Sequence, residues 1–199
     1  MNDSQSGGKC MDKKQLIVQA AIEAFKENGV HKATISDIVK RAGIAQGTFY
    51  LYFPSKWSLM PAIAEVMVEK TLDVASDNVK NSVPYELQLQ QIIHSIFEVA
   101  RTYHDIQALI YAGLAATEHL KEWETVYAPI YEWLQHWLVE AQEAGFVRRS
   151  VKPEAVSKLM IGLIESAAEQ IYLYDSDAEA NAEAQQQQVY ELLQHALKN

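Results

Sequence analysis

The sequence predicts an all-α chain, and three observations carry that expectation. Apolar residues return every three or four positions through most of its length, as they do on one face of a helix. Ala, Glu, Gln and Leu, all good helix formers, recur throughout. Only 8 glycines and 5 prolines interrupt 199 residues, and no stretch shows the strict alternation of a strand. With hydrophobic residues at 49%, the chain carries enough apolar surface to bury a core. No apolar run reaches the length needed to cross a bilayer. The opening MNDSQSGGKC lacks the apolar segment of a signal peptide, so a cytoplasmic location without a membrane partner is expected. The single cysteine, Cys10, excludes an intramolecular disulfide.

Residues 1–11 read as a flexible leader. A first helix is expected from about Asp12 to Asn28, with Leu16, Ile17, Ala20, Ala21, Ala24 and Phe25 at helical spacing and Gly29 as its stop. Thr34 reads as the N-cap of a short second helix ending near Ala42. Its hydroxyl can accept from a free N–H of the first turn, and Asp37 three residues on completes a capping box. Ile35, Ile38 and Val39 form its buried face. Gly43 stands where a left-handed residue turns the chain sharply. A third helix, from Ala45 or Gln46 to about Tyr52, follows at once. Two short helices around a tight turn make a helix-turn-helix pattern.

Beyond Pro54 and Ser55 a long helix is expected from Lys56 to about Asn78. Pro61 would lie well inside it and bend it, because it cannot donate to the carbonyl of Trp57. Further helices are expected over Tyr85–Tyr103, Ile106–Leu114 and Glu118–Ala144, the last with a stripe of Leu120, Trp123, Tyr127, Ile130, Leu134, Trp137 and Ala141. Pro129 either bows that helix or marks its true start. Pro153 opens a helix to about Tyr172, with Val156, Leu159, Met160, Leu163, Ile164 and Ala167 on one side. The final helix, Ala180–Leu197, shows Val189, Leu192, Leu193 and Leu197.

Charge divides the chain unevenly. Residues 1–56 carry eight Lys/Arg against five Asp/Glu, and residues 57–199 carry nine against twenty-one, giving the net −9. The short first part is the basic one, and such asymmetry points to two jobs. Within it lies GIAQGTFYLYF, Gly43 to Phe53. The second helix of a helix-turn-helix enters the DNA major groove N-terminus first. Gln46 there can pair bidentately with a base edge, most naturally adenine. Gly47 lets the backbone approach closely, and Thr48 can reach a phosphate or a thymine methyl. Tyr50 and Tyr52 can donate hydroxyls to phosphates. Lys56 supplies a phosphate charge, and Thr34 with its helix N-terminus offers further donors. Phe49, Leu51 and Phe53 read as the core beneath.

The ordered run resembles the TetR family of bacterial transcriptional regulators. The matching residues are Ala20-Ala21, Phe25, Gly29, Thr34-Ile35, Ile38, Ala42-Gly43, Gly47-Thr48-Phe49-Tyr50, Tyr52-Phe53, Ser55-Lys56 and Leu59, within residues 13–60. The resemblance implies a three-helix DNA-binding head, residues 12–56, joined to an antiparallel helical body, residues 57–199, for ligand binding and dimerisation. It implies a homodimeric repressor that binds a palindromic operator and releases it when a small hydrophobic or aromatic effector binds. Family DNA contacts map onto Thr34, Gln46, Thr48, Tyr50, Tyr52 and Lys56. Two departures stand out: Ala45 where the family often has Ser, and Trp57 where it often has Glu.

In the body, aromatic residues at helical spacing pack a core as readily as they line a cavity. The resemblance favours the cavity, with Phe97, Tyr103, Tyr111, Trp123, Tyr127, Tyr131 and Glu165 as lining. A four-helix dimer interface is implied for the last two helices, with Leu163, Ala167, Val189, Leu192 and Leu193. His94 with Glu98, and Glu132 with His136, sit four apart, but no third ligand is readable, so no metal or other cofactor is expected. No glycine-rich phosphate loop or nucleophile elbow suggests an enzyme. The competing reading is a helical ligand-binding or protein-interaction module whose head serves packing alone.

Overall fold

The structure, a computed structural model, describes residues 12–115 and 123–198; the side chains of residues 109, 111–115 and 123 are likewise outside the description. It is helical throughout, with no strand among the described residues. The helices are α1 (Lys13–Asn28), α2 (Ile35–Ala42), α3 (Gln46–Tyr52), α4 (Met60–Asn78), α5 (Tyr85–Ala115), α6 (Trp123–Glu143), α7 (Pro153–Tyr174) and α8 (Ala178–Leu197). A single 3-10 turn, Trp57–Leu59, precedes α4. The expected leader, residues 1–11, and the expected helix start at residues 118–122, including Leu120, lie outside the described residues.

The chain divides into two compact units, one ending at Ile63 and the other beginning at Ala64. In the first, α1 packs on α2 and α2 on α3. Its interior holds Ile17, Ala21, Phe25, Ile38, Phe49 and Leu59, all essentially without solvent contact. Burying a side chain the size of Phe49 stabilises by about 1.5–3 kcal/mol. In the second unit α7 packs on α5, α6 and α8, and α5 also meets α8. Leu89, Ile92, Ile96, Phe97, Leu134, Leu138, Met160 and Ile164 form its interior.

Local chemistry sets the ends of the short helices. Asp37 N–H donates to Thr34 Oγ1 at 3.1 Å, and Thr34 N–H donates back to Asp37 Oδ2 at 2.9 Å. This reciprocal box starts α2. Gly43 closes it at φ 67, ψ 32, in the left-handed region, where a side chain would be strained.

Several expectations change. The helix foreseen from Lys56 is a 3-10 turn followed by α4, so Pro61 is the second residue of α4 rather than an interior kink. The Trp57 carbonyl, which Pro61 cannot satisfy, accepts the N–H of Met60 instead. A proline in a first turn leaves no bond unmade. Pro129 lies inside α6, which rules it out as that helix's start. Tyr85–Tyr103 and Ile106–Leu114 merge into α5, yet the expected break survives at Tyr103, whose backbone is non-helical at φ −129, ψ 16. Leu51 was assigned to the core and is instead 83% exposed.

The apolar stripes of α7 and α8 also split. Val189, Leu193 and Ala167 are buried within the protomer, whereas Leu192 is 57% and Leu159 70% exposed. A helix between a core and solvent turns its i and i+4 neighbours inward together, and the residue beside them outward.

Candidate nucleic-acid interface and effector cleft

In the first unit α3 presents one polar-aromatic surface. Gln46, Gly47, Tyr50, Leu51 and Tyr52 are exposed and Thr48 is half-buried. Phe49 and Phe53 face inward, their ring centroids 5.8 Å apart. Phe49 also meets the Tyr50 ring edge-on at 5.5 Å, fixing the direction of that tyrosine. All seven sequence-predicted DNA-facing residues are at least partly accessible, and α3 carries no charge to repel a phosphate. Leu51 was missed as a surface residue. Its four-residue offset from Gly47 could have revealed it, because two residues so spaced share a helix face.

Thr34 is exposed, but its hydroxyl is engaged: it donates to Asp37 Oδ2 at 2.6 Å and accepts the Asp37 N–H. These bonds, the side-chain one first and then that from the Thr34 backbone, hold the Asp37 carboxyl below its ordinary value, with Lys40 and Arg41 adding a smaller pull. Arg41 pairs with Glu23 at 3.2 Å and with Glu27, so its charge is spent between α2 and α1. Exposed pairs of this kind contribute little stability.

Lys56 departs most from expectation. Its ammonium does not extend into solvent. It donates to the carbonyls of Val30 at 2.7 Å, Ala33 at 2.9 Å and His31 at 3.4 Å. An ammonium has three donors, and all three are aimed at the turn between α1 and α2.

In the second unit the predicted effector-lining residues fall into separate places. Tyr127 and Tyr131 stand together on α6, ring centroids 5.8 Å apart and both largely buried. The Tyr127 hydroxyl donates to Glu165 on α7, at 3.1 Å to one carboxylate oxygen and 3.3 Å to the other. They line a cleft of about 230 Å³ between α6 and α7, with Lys158, Ile161, Gly162 and Ser166. The Lys158 ammonium lies 5.3 Å from the Tyr131 ring centre and pairs with Glu124 at 2.5 Å. Burial, then the charges of Glu124 and Glu165, push the Tyr131 phenol up to about 12, so its proton stays on at neutral pH.

Phe97 lies elsewhere, fully buried against the edge of Tyr172 at 6.3 Å. Tyr103 borders a different cleft, of about 300 Å³ between α4 and α5, with Lys70 5.4 Å from its ring centre. The side chains of Tyr111 and Trp123 lie outside the described residues. The structure therefore joins Tyr127, Tyr131 and Glu165, and separates Phe97 and Tyr103 from them. Of the histidine–carboxylate pairs, His94 meets Gln186 at 3.2 Å and Glu98 accepts from Asn78 at 3.2 Å.

Residues 17–63 match the pattern described as bacterial regulatory proteins, tetR family, and residues 89–197 match the tetracyclin repressor-like C-terminal domain. The chain is also 37% identical over 185 residues to the HTH-type transcriptional regulator YvdT of Bacillus subtilis, covering 93% of this chain and 95% of that one. The chain belongs to the TetR family. This TetR-family regulator has the fold of the fatty acid degradation regulator FadR from Bacillus halodurans, with a TM-score of 0.71, 22% identity and coverage of 92% and 96% of the two chains. FadR from Bacillus subtilis, solved in complex with stearoyl-CoA, matches the regulator with a TM-score of 0.69 at 20% identity, over 88% of this chain and 96% of that one. The pattern of DNA-binding regulators spans α1–α3, and the C-terminal pattern spans most of the acidic second unit.

Proposed function

We propose that the protein binds a palindromic operator as a homodimer and represses transcription until a small hydrophobic or aromatic effector binds its C-terminal unit. The observation that carries this reading is the face of α3: Gln46, Gly47, Tyr50, Leu51 and Tyr52 stand exposed above a buried Phe49 and Phe53. Gln46 reads a base, Thr48 and Leu51 offer apolar contact to a thymine methyl, and the tyrosine hydroxyls position the helix on phosphates. The N-terminus of α2 adds backbone donors next to Thr34, whose own N–H is taken by Asp37.

One short recognition helix reads few base pairs, and two related by a twofold axis read a palindrome. The surface suited to a second copy lies on α7 and α8, where Leu159 and Leu192 are exposed. Gly162, three residues on from Leu159 on α7, faces open space, and its lack of a side chain suits a close helix approach. The Tyr127–Tyr131–Glu165 cleft is the proposed effector site. Flat rings and one hydrogen-bonding carboxylate suit an apolar ligand with a polar tip, and the acyl-CoA held by a structural neighbour supports ligand control.

Selection of bound sequences from random duplex DNA tests the regulator reading. Enrichment of one palindrome, with affinity falling steeply as salt rises, is the expected result. A folded protein that enriches nothing would leave the head as packing alone.

A further inference from the structure

We infer that Lys56 is a positioning residue for DNA binding rather than a phosphate contact: its ammonium locks the segment leaving α3 to the turn entering α2. The inference rests on the proposed reading of α3 as the DNA-facing helix. The three acceptors, Val30, His31 and Ala33, are main-chain carbonyls at 2.7, 3.4 and 2.9 Å. They use every donor the ammonium has. The last of them, Ala33, immediately precedes Thr34, the N-cap of α2.

The lysine is held at its other end as well. Ser55 N–H donates to Ser58 Oγ at 3.2 Å, Ser58 N–H donates to Ser55 Oγ at 3.2 Å, and the Ser58 hydroxyl donates to the Ser55 carbonyl at 2.7 Å. This reciprocal serine pair fixes the backbone on either side of Lys56. The Trp57 ring centre lies 5.7 Å from the ammonium, and His31 meets that ring at 5.9 Å. One aromatic ring therefore stands beside the charge, and His31 packs against that ring. The side chain bridges the two elements that carry the polar groups facing DNA, α2 through its N-terminus and α3 through its exposed face. A shift of either relative to the other misplaces one set of contacts.

The chemistry separates a clamp from a phosphate contact. Ammonium is a compact charge whose three donors can point at three carbonyls, whereas guanidinium is a planar fork suited to a phosphate or carboxylate. Arginine at position 56 should therefore keep a phosphate contact and break the clamp. Salt dependence gives a second criterion. Loss of one phosphate contact from each of two heads flattens the slope of log affinity against log salt by about 1.8, at about 0.9 per contact. Loss of a positioning residue lowers affinity and leaves the slope in place.

The experiment measures affinity for the duplex selected by the wild-type protein, across a salt series, for Lys56→Arg and Lys56→Met, with thermal unfolding and amide exchange on the free proteins. The expected result is a loss of about tenfold or more in both variants, the scale of a charged hydrogen bond, with an unchanged salt slope and faster exchange near Ala33 to Asp37. Near-normal binding by Lys56→Arg, or a flattened slope in Lys56→Met, would overturn the inference. So would normal affinity in both, which would make the clamp merely structural. If neither variant folds, Ser58→Ala loosens the brace and keeps the charge. It should weaken binding at unchanged slope, and normal binding would count against the clamp. Failure of the wild-type protein to select any duplex is a separate result that removes the DNA reading; the exchange data on Lys56→Arg still report on the clamp.

Discussion

The two units of this chain use polar residues differently. In the first, the helix ends are set over a few positions, by Thr34 with Asp37, Ser55 with Ser58 and Gly43 in its left-handed turn, and only Lys56 and Arg41 among the polar contacts named above reach further. In the second, the informative polar contacts join distant helices, as where the Tyr127 hydroxyl meets Glu165 or the Trp137 indole N–H meets Gln88 at 2.9 Å. Residues that must sit on a fixed surface are set by local caps and turns. Residues that line the cleft are set by how long helices pack, as Tyr127 on α6 meets Glu165 on α7.

The comparison can be broken most directly at the centre of the first unit. Phe49→Ala removes a fully buried ring and should cost about 3–5 kcal/mol. Heating should then show an early transition for the first unit, lost DNA binding and a separate later transition for the second. A single unchanged transition would mean that the units do not melt independently. Next in size is a pair on α8. Leu193→Ala, inside the protomer, should cost about 2–5 kcal/mol. Leu192→Ala, on its exposed neighbour, should stay within about 0.5 kcal/mol in protomer stability but shift the monomer–dimer balance in sedimentation. Equal destabilisation by both would remove Leu192 from the proposed interface.

Gln46→Ala should cost about 1–3 kcal/mol at one base position and relax preference there. A uniform loss on all sequences would make Gln46 a backbone contact instead. Thr34→Ala removes the cap of α2 and should cost about 1 kcal/mol. The same box sets a pH dependence. The Asp37 carboxyl titrates below its ordinary value of 3.8 when folded. Its contribution is therefore complete above that value and lost as pH falls through the folded one. Stability of the first unit followed below about pH 4 should decline less steeply in Asp37→Asn than in the wild type, since the variant has no such proton to gain.

Much of this was legible without coordinates. The helix ends, the Thr34 box, the Gly43 turn and the all-α class follow from residue type and from spacings of three or four, which are fixed by helix geometry. The same short range explains the failures. Leu51 and Leu193 look alike as leucines in an apolar pattern, yet one faces solvent and the other the core. The predicted aromatic lining divided because Phe97 and Tyr103 turn toward partners on other helices.

What the sequence determined by itself is the all-α class, the Thr34 cap and the placement of a polar-aromatic helix after a tight turn, because each depends on neighbours within one or two turns. What only the tertiary structure decided is which side of each helix is covered, and where the Lys56 ammonium finds its acceptors. Those acceptors lie 23 to 26 residues away along the chain, and only packing brings groups so far apart in sequence within hydrogen-bonding distance.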